Sequence, residues 1–351
     1  MLLIRCVLPL CLLVLTGCQA GYYGHLISGH SKLMWARQSV DKVLDSDTLS
    51  QHQRHQLVLS NNLLEFASSE LALPAKKVYR HYVALEHDWV VWNLFAAPEF
   101  SLQPHQWCYP VVGCAAYRGY YSQERAEREQ QRLQQQGLTV FGAGAIAYST
   151  LGWFRDPLTS AMLKGNDVWF ADLLFHELVH RHFYLKGDTL FNESLATAVA
   201  REGVRRWLAM HGDPAQIKVL EQSDEAEQVF LHLVGNSRAQ LESLYASDLA
   251  VAEMRVARQE IIAQLRDNYA AAQQRLGASG NLALAGYQDW FAGPLNNAQL
   301  NMVSSYHDQV PLFEAALLQC GGHWPCFWQQ VKQLARLSSA ERAAMTEKLN
   351  D

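Results

Sequence analysis

A chain of 351 residues, 49% hydrophobic and 18% charged, has globular composition and enough length for a sizeable core. Its formal net charge is −5, with no strong basic block, which argues against nucleic acid as a partner. No Pro- or Ser-rich linker and no internal repeat is evident, leaving one large domain or two small ones.

In chain order, residues 1–17 come first and read as an export signal: Arg5, an apolar run from Cys6 to Leu15, and then Leu15-Thr16-Gly17-Cys18. The run is too short to span a membrane comfortably. L-T-G-C looks like a bacterial lipobox, with cleavage before Cys18 and lipid on its thiol; the alternative is an ordinary cleaved signal. Multiple acyl chains, at about 0.8 kcal/mol per buried methylene, would anchor the chain firmly. Gln19, by the sorting rule of enteric-type bacteria, implies the outer membrane.

Helices are expected over Leu26 to Leu44 and Thr48 to Leu71. Pro74 opens a segment in which Val78, Tyr82 and Leu85 recur at helical spacing. Val90 to Phe95 reads as a strand, and Cys108 to Tyr121 as strand and loop. Gln123 to Gln136 reads as a solvated helix ending at Gly137. Leu138 to Tyr148, with Gly142 and Gly144, reads as a strand. Such a glycine-rich strand suits either close approach of a peptide backbone or ordinary core packing. Trp153, Phe154 and Trp169 are candidates for a pocket wall or for the core.

The apolar run Val168 to Phe175 leads into His176-Glu177-Leu178-Val179-His180. On a helix, residues four apart share a face, so both imidazoles can reach one cation, with Glu177 offset by about 100° toward a water on it. With 14 His in the chain, H-E-x-x-H arises by chance more easily than usual, and a third ligand decides the matter. The helix can run to about Lys186, and Lys186-Gly187-Asp188 reads as stop, turn and restart. A second helix from Thr189 to His211 brings Glu193 back toward the two histidines, with Ala196, Thr197 and Ala200 small enough for close approach. Glu202 points to the opposite face.

Ala215 to Leu276 reads as a helical hairpin, with a break at Gly235-Asn236 and Gly277 as stop. Helices follow from Asn297 to Leu317 and from Phe327 to the end. Setting aside Cys6, Cys11 and Cys18, the seven cysteines leave Cys108, Cys114, Cys320 and Cys326. In an exported chain these imply two disulfides. Three connectivities are open; 108–114 with 320–326 is the simplest, each closing a short loop with Gly and Pro. The rival, a four-thiolate metal site, suits neither the wide spacing nor an oxidising compartment. The fold expected is α+β, predominantly α-helical, with a small β-sheet. It is one domain over 18–351: a helical part (18–105), the sheet and motif helices (106–212) and a second helical part (213–351).

H-E-x-x-H followed by N-E-x-x-A on the next helix resembles the gluzincin metallopeptidases, the thermolysin-like group. The loop before the distal Glu is shorter here than in thermolysin or the large neutral aminopeptidases. The chain also resembles a family of bacterial lipoproteins described as zinc aminopeptidases, through Tyr109-Pro110-Val111-Val112-Gly113-Cys114, Ala147 to Phe154, Phe175 to His180, Phe191-Asn192-Glu193 and Asn296-Asn297-Ala298. These resemblances imply a thermolysin-like zinc helix pair, one Zn²⁺ per chain on His176, His180 and Glu193, and Glu177 as general base. They imply a peptide or protein substrate, a Tyr or His downstream as oxyanion donor (Tyr306, with His307 as runner-up), and membrane attachment through the N-terminal lipid. In thermolysin-like enzymes an acidic residue one turn after the distal Glu orients a ligand His; Thr197 stands there, a weaker acceptor, and Asp172 is another candidate unless it is merely solvated. Asn192 is expected to bond substrate or backbone, or to cap its helix. The chain lacks the G-x-M-x-N element of the large aminopeptidases. A zinc aminopeptidase of the envelope is thus expected, alongside an endopeptidase that processes envelope proteins and a non-catalytic zinc-binding lipoprotein.

Overall fold

The computed structural model describes residues 20–109, 113–147, 150 and 154–350. The signal, Cys18 and Trp153 lie outside the described residues. In chain order the elements are α1 (20–35), β1 (Gln38–Ser39), α2 (Val40–Leu44), α3 (Gln51–Ser69), β2 (His81–Val83), β3 (Val91–Pro98), β4 (Trp107–Tyr109), β5 (Gly113–Ala115), β6 (Tyr117–Tyr120), α4 (Gln123–Gln135), β7 (Leu138–Ala145) and β8 (Leu158–Thr159). They continue with α5 (Asp167–His182), α6 (Thr189–His211), α7 (Pro214–Tyr245), α8 (Val251–Ala278), α9 (Gln288–Ala292), α10 (Asn297–His307), α11 (Val310–Gln319), α12 (Trp324–Leu334) and α13 (Ser339–Asn350). The chain is mostly helical with small sheets, in keeping with an α+β class dominated by helix.

Helix starts follow capping chemistry. Ser50 and Gln53 form a capping box on α3, and Asn166, Asp188, Asp213 and Asn296 each accept a backbone N–H of the first turn of α5, α6, α7 and α10. Where expectation and structure part, tertiary pairing or local chemistry overrides periodicity. The helix expected over Leu26 to Leu44 breaks after residue 35, and Gln38–Ser39 pair with β2. Val78 and Tyr82 are buried, but not on a helix: Val78 lies in a bend, Tyr79 takes a left-handed φ of 56°, and Tyr82 is in β2, which bonds to β1 and β8. The hairpin of α7 and α8 turns after Tyr245 and not at Gly235, which lies inside α7 with open space around its Cα. The helix expected from Asn297 to Leu317 is two, because Pro311 at the start of α11 has no N–H to donate. The last expected helix also divides, into α12 and α13.

β3 lies between β6 and β7, antiparallel to both, with Phe95 opposite Phe141 and Trp92 opposite Gly144. β7 is therefore an edge strand. Its neighbour in space is α10: the Asn296 side chain donates to the Val140 carbonyl, and Asn297 donates to the carbonyls of Pro98, Glu99 and Ser101. The largest apolar core draws together α2, α3, β2, α5, α6, α11 and α12; a second joins α7, α8 and α10; a third lies between the sheet, α1 and α4. Among the described residues no helix is long and apolar enough to cross a membrane.

Cys108 pairs with Cys114 and Cys320 with Cys326, the local connectivity. The first bridge closes the β4–β5 hairpin, and this hairpin meets the turn between α5 and α6: a Cβ on Gly113 would lie 2.8 Å from the Gly187 nitrogen. Both glycines have φ near 80°, so backbone touches backbone there.

Two outcomes follow. Arg342, 1% exposed, bonds the Asp188 carboxylate and the Leu334 and Leu337 carbonyls and lies 5.0 Å over the Phe191 ring, tying α13 to the start of α6. Arg342→Ala leaves those partners uncompensated and should lower unfolding free energy by roughly 3 kcal/mol in a denaturant titration. Thiol titration of the unfolded chain from Gly21 onward should find no free thiol before reduction and four after it.

Candidate metal centre and cleft

His176 and His180 lie one turn apart on α5, and Glu193 lies in the second turn of α6. Their facing atoms form a nearly equilateral triangle: His176 Nε2 to Glu193 Oε2 is 3.2 Å, His180 Nε2 to Glu193 Oε2 is 3.3 Å, and the two Nε2 atoms are 3.2 Å apart. Three ligands about 2.0 Å from a tetrahedral ion lie about 3.3 Å from one another, so the triangle fits a small divalent cation with its fourth position open. The three residues form a group that could hold a metal. One further atom bears on the fit. Glu177 Oε2 is buried with no hydrogen-bond partner, a cost that a positive centre beside it would relieve.

The electrostatics agree. Burial would raise Glu193, but the His180 and His176 imidazoles outweigh it and hold the carboxyl down at about 2. Burial lifts Glu177 above its ordinary range; the two imidazoles oppose this, while Glu193 and Asp156 reinforce it. His180 is raised because Glu193 outweighs its desolvation.

The α5–α6 hairpin creates this geometry. Leu185 donates its N–H to Asn192 Oδ1 (2.7 Å) and accepts from Asn192 Nδ2 (2.8 Å), so Asn192 bonds backbone. This grip and Gly187 end α5 at His182, short of the expected Lys186. Ala196, Ala200 and Gly203 let the helices close together; a Cβ on Gly203 would lie 2.8 Å from the Phe175 ring. Thr197 and Asp172 make no hydrogen bond to either histidine, so neither orients an imidazole in the expected way. Glu202 faces away and pairs with Arg206 at 2.7 Å. Arg181, beside the motif, bonds buried Asp156 at 2.9 Å and the Phe154 carbonyl at 2.7 Å, which fastens the chain before α5 to that helix.

Two cavities, of about 390 and 400 Å³, meet at His176, Glu177, Tyr306, Asn93, Ala145 and Ala147. Tyr117, Tyr184, Tyr121 and Phe154 line the first, together with Tyr22, Leu26 and His30 of α1. The Tyr306 ring stacks beside His176, centroids 5.9 Å apart at 23°. Burial, then Glu193, raises the Tyr306 hydroxyl well above its ordinary value, so it remains a donor. Tyr117 is raised by the same two causes. His307 turns instead toward the second cavity, with Nδ1 3.4 Å from Arg201, and burial followed by Arg201 and His176 pushes it down to about 3. Trp169 walls neither cavity; it packs on Gly165, half-exposed.

Sequence reasoning did not find Tyr117, Tyr184, Asp156 or the α1 face. Tyr22, Leu26 and His30 do carry a signal, since their spacing of four puts them on one helical face. What that face meets is invisible in the sequence. No curated protein and no solved structure matches the chain. A family model described as "putative aminopeptidase" matches residues 21–346, nearly the whole chain, and the protein belongs to that family.

Proposed function

We propose that this protein hydrolyses peptide bonds using one zinc ion per chain, held by His176, His180 and Glu193. The observation that carries the reading is the 3.2–3.3 Å triangle of these three residues beside the unpartnered Glu177 carboxylate, at the junction of two cavities. Membership of a family described as aminopeptidases supports the reaction class. Two nitrogens and one carboxylate oxygen favour zinc.

Zinc bound there supplies a Lewis acid that polarises a carbonyl and lowers the pKa of water. Glu177 takes the proton of the attacking water and passes it to the leaving amine; its burial makes it a stronger base than an exposed carboxylate. Tyr306 donates a hydrogen bond from its hydroxyl to the developing oxyanion, keeping its proton, with His307 turned away toward Arg201. β7, an edge strand reaching the cleft at Ala145, accepts the substrate backbone by strand addition. The pairing of α5 and α6 with this strand is, in this reading, a thermolysin-like zinc centre.

The exopeptidase label rests on the family description. A second reading, endopeptidase action, is favoured by the meeting of two cavities at the centre, which leaves room for chain beyond the scissile bond in two directions. We further propose attachment to the outer membrane, facing the periplasm, through lipid on Cys18; the L-T-G-C run supports it.

Elemental mass spectrometry of the soluble form beginning at Gln19 should find about one zinc per chain, and Glu193→Ala should lose it. Glu177→Gln should keep the zinc and lose hydrolysis; an unchanged rate would remove Glu177 from the role of base. Tyr306→Phe should lower kcat by about a hundredfold with little change in KM. N-acetylated peptides separate the two readings: internal cleavage supports an endopeptidase, and a requirement for a free amine supports an aminopeptidase.

A further inference from the structure

The second cavity differs chemically from the tyrosine-lined one. Phe230, Tyr287 and Trp290 wall it: Phe230 stacks on Tyr287 at 4.2 Å and meets Trp290 edge-on at 4.9 Å. Apart from His176 and Glu177, its lining residues that could carry charge are Asp172 and His307, and no Lys or Arg lines it. His307 is neutral at physiological pH. Asp172 has no hydrogen bond and no ion pair within 4.0 Å among the described residues. The nearby Arg201 guanidinium bonds Glu227 instead. Burial raises Asp172 to about 6, with His176 and Arg201 opposing it.

A carboxylate lining an aromatic cavity that has no Lys or Arg among its lining residues offers a place for a cationic group of a substrate. Poor solvation strengthens its attraction for positive charge, and aromatic faces add to that attraction. We propose that Asp172, with the wall of Phe230, Tyr287 and Trp290, forms a subsite that binds an ammonium or guanidinium group of the substrate. The inference rests on the peptidase reading of the adjoining centre. Asp172 lies four residues before His176, about 6 Å along the helix. That distance suits two sources of the cation: the α-ammonium of a residue beside the scissile bond, or the side chain of a Lys or Arg near it.

Binding and cleavage are measured separately. Peptides carrying Lys or norleucine at one position, each with a free or acetylated N-terminus, are titrated by calorimetry into zinc-loaded Glu177→Gln and its double variant with Asp172→Asn. The same peptides are offered to the wild type and to Asp172→Asn for turnover. Cationic peptides should bind at least tenfold more tightly than neutral ones, and Asp172→Asn should abolish that difference while leaving neutral peptides and the melting temperature unchanged. Asp172→Glu should restore part of it. Sensitivity to acetylation identifies the α-ammonium as the cation; sensitivity to Lys→norleucine identifies the side chain. Equal affinity for charged and neutral peptides, or equal weakening of both in Asp172→Asn, overturns the subsite while turnover by the wild type upholds the peptidase. Asp172-dependent binding without any turnover does the reverse.

Discussion

The grip of Asn192 on both backbone groups of Leu185 is the constraint from which the site follows. It pairs both backbone groups of a residue just past the end of α5 and holds the chain where it reverses into α6. Reversal lays α6 along α5, and small residues on the facing surfaces bring Glu193 within 3.3 Å of both imidazoles. Further bonds guard the same turn: Asp188 caps α6 and holds Arg342 of α13, and the first disulfide hairpin rests on Gly187. Two distant pieces of chain, α13 and the disulfide hairpin, thus converge on this turn.

The centre gathers charge that its own residues do not balance. Glu177 and Glu193 lie buried beside two imidazoles, with Asp156 near enough to disturb Glu177, although Arg181 holds it. Such an arrangement is costly without a cation and favourable with one. The same reasoning applies one turn away at Asp172, where the compensating charge comes from the substrate in our proposal. The sheet supplies the remaining geometry. Asn296 and Asn297 bond the β3–β7 backbone and so aim α10, which carries Tyr306 to the face of His176. Asparagines that stand out in the sequence near a candidate donor therefore position its helix.

Legibility varied with the range of the interaction. α4 and α6 were readable almost to the residue because polar periodicity, Asp188 and Gly137 are local signals. The segment after Pro74 was misread as helix: Val78 and Tyr82 carry a helical spacing, but Val78 lies in a bend and strands contributed by residues 38–39 and 158–159 take up the backbone of 81–83. The break expected at Gly235-Asn236 does not occur, whereas the single helix expected from Asn297 to Leu317 is broken. A glycine with free space costs a long helix only about 1 kcal/mol, whereas a proline removes a donor outright.

The sequence by itself determined the metal-ligand set as a candidate, because H-E-x-x-H is a statement about one helix and Glu193 follows within one turn and one helix start. It also determined the pairing of nearby cysteines as the simplest choice and the export character of the first residues as an expectation. Tertiary structure alone decided what surrounds that set: Tyr117 from β6, Tyr22 and His30 from α1, and Phe230, Tyr287 and Trp290 from the α7–α9 region. It also decided that Asp172 faces a cavity and makes no hydrogen bond to His176. Short-range hydrogen bonding and helical pitch are written in neighbouring residues, whereas a cavity wall is the meeting of surfaces far apart in the chain, and its chemistry exists only once the core has packed.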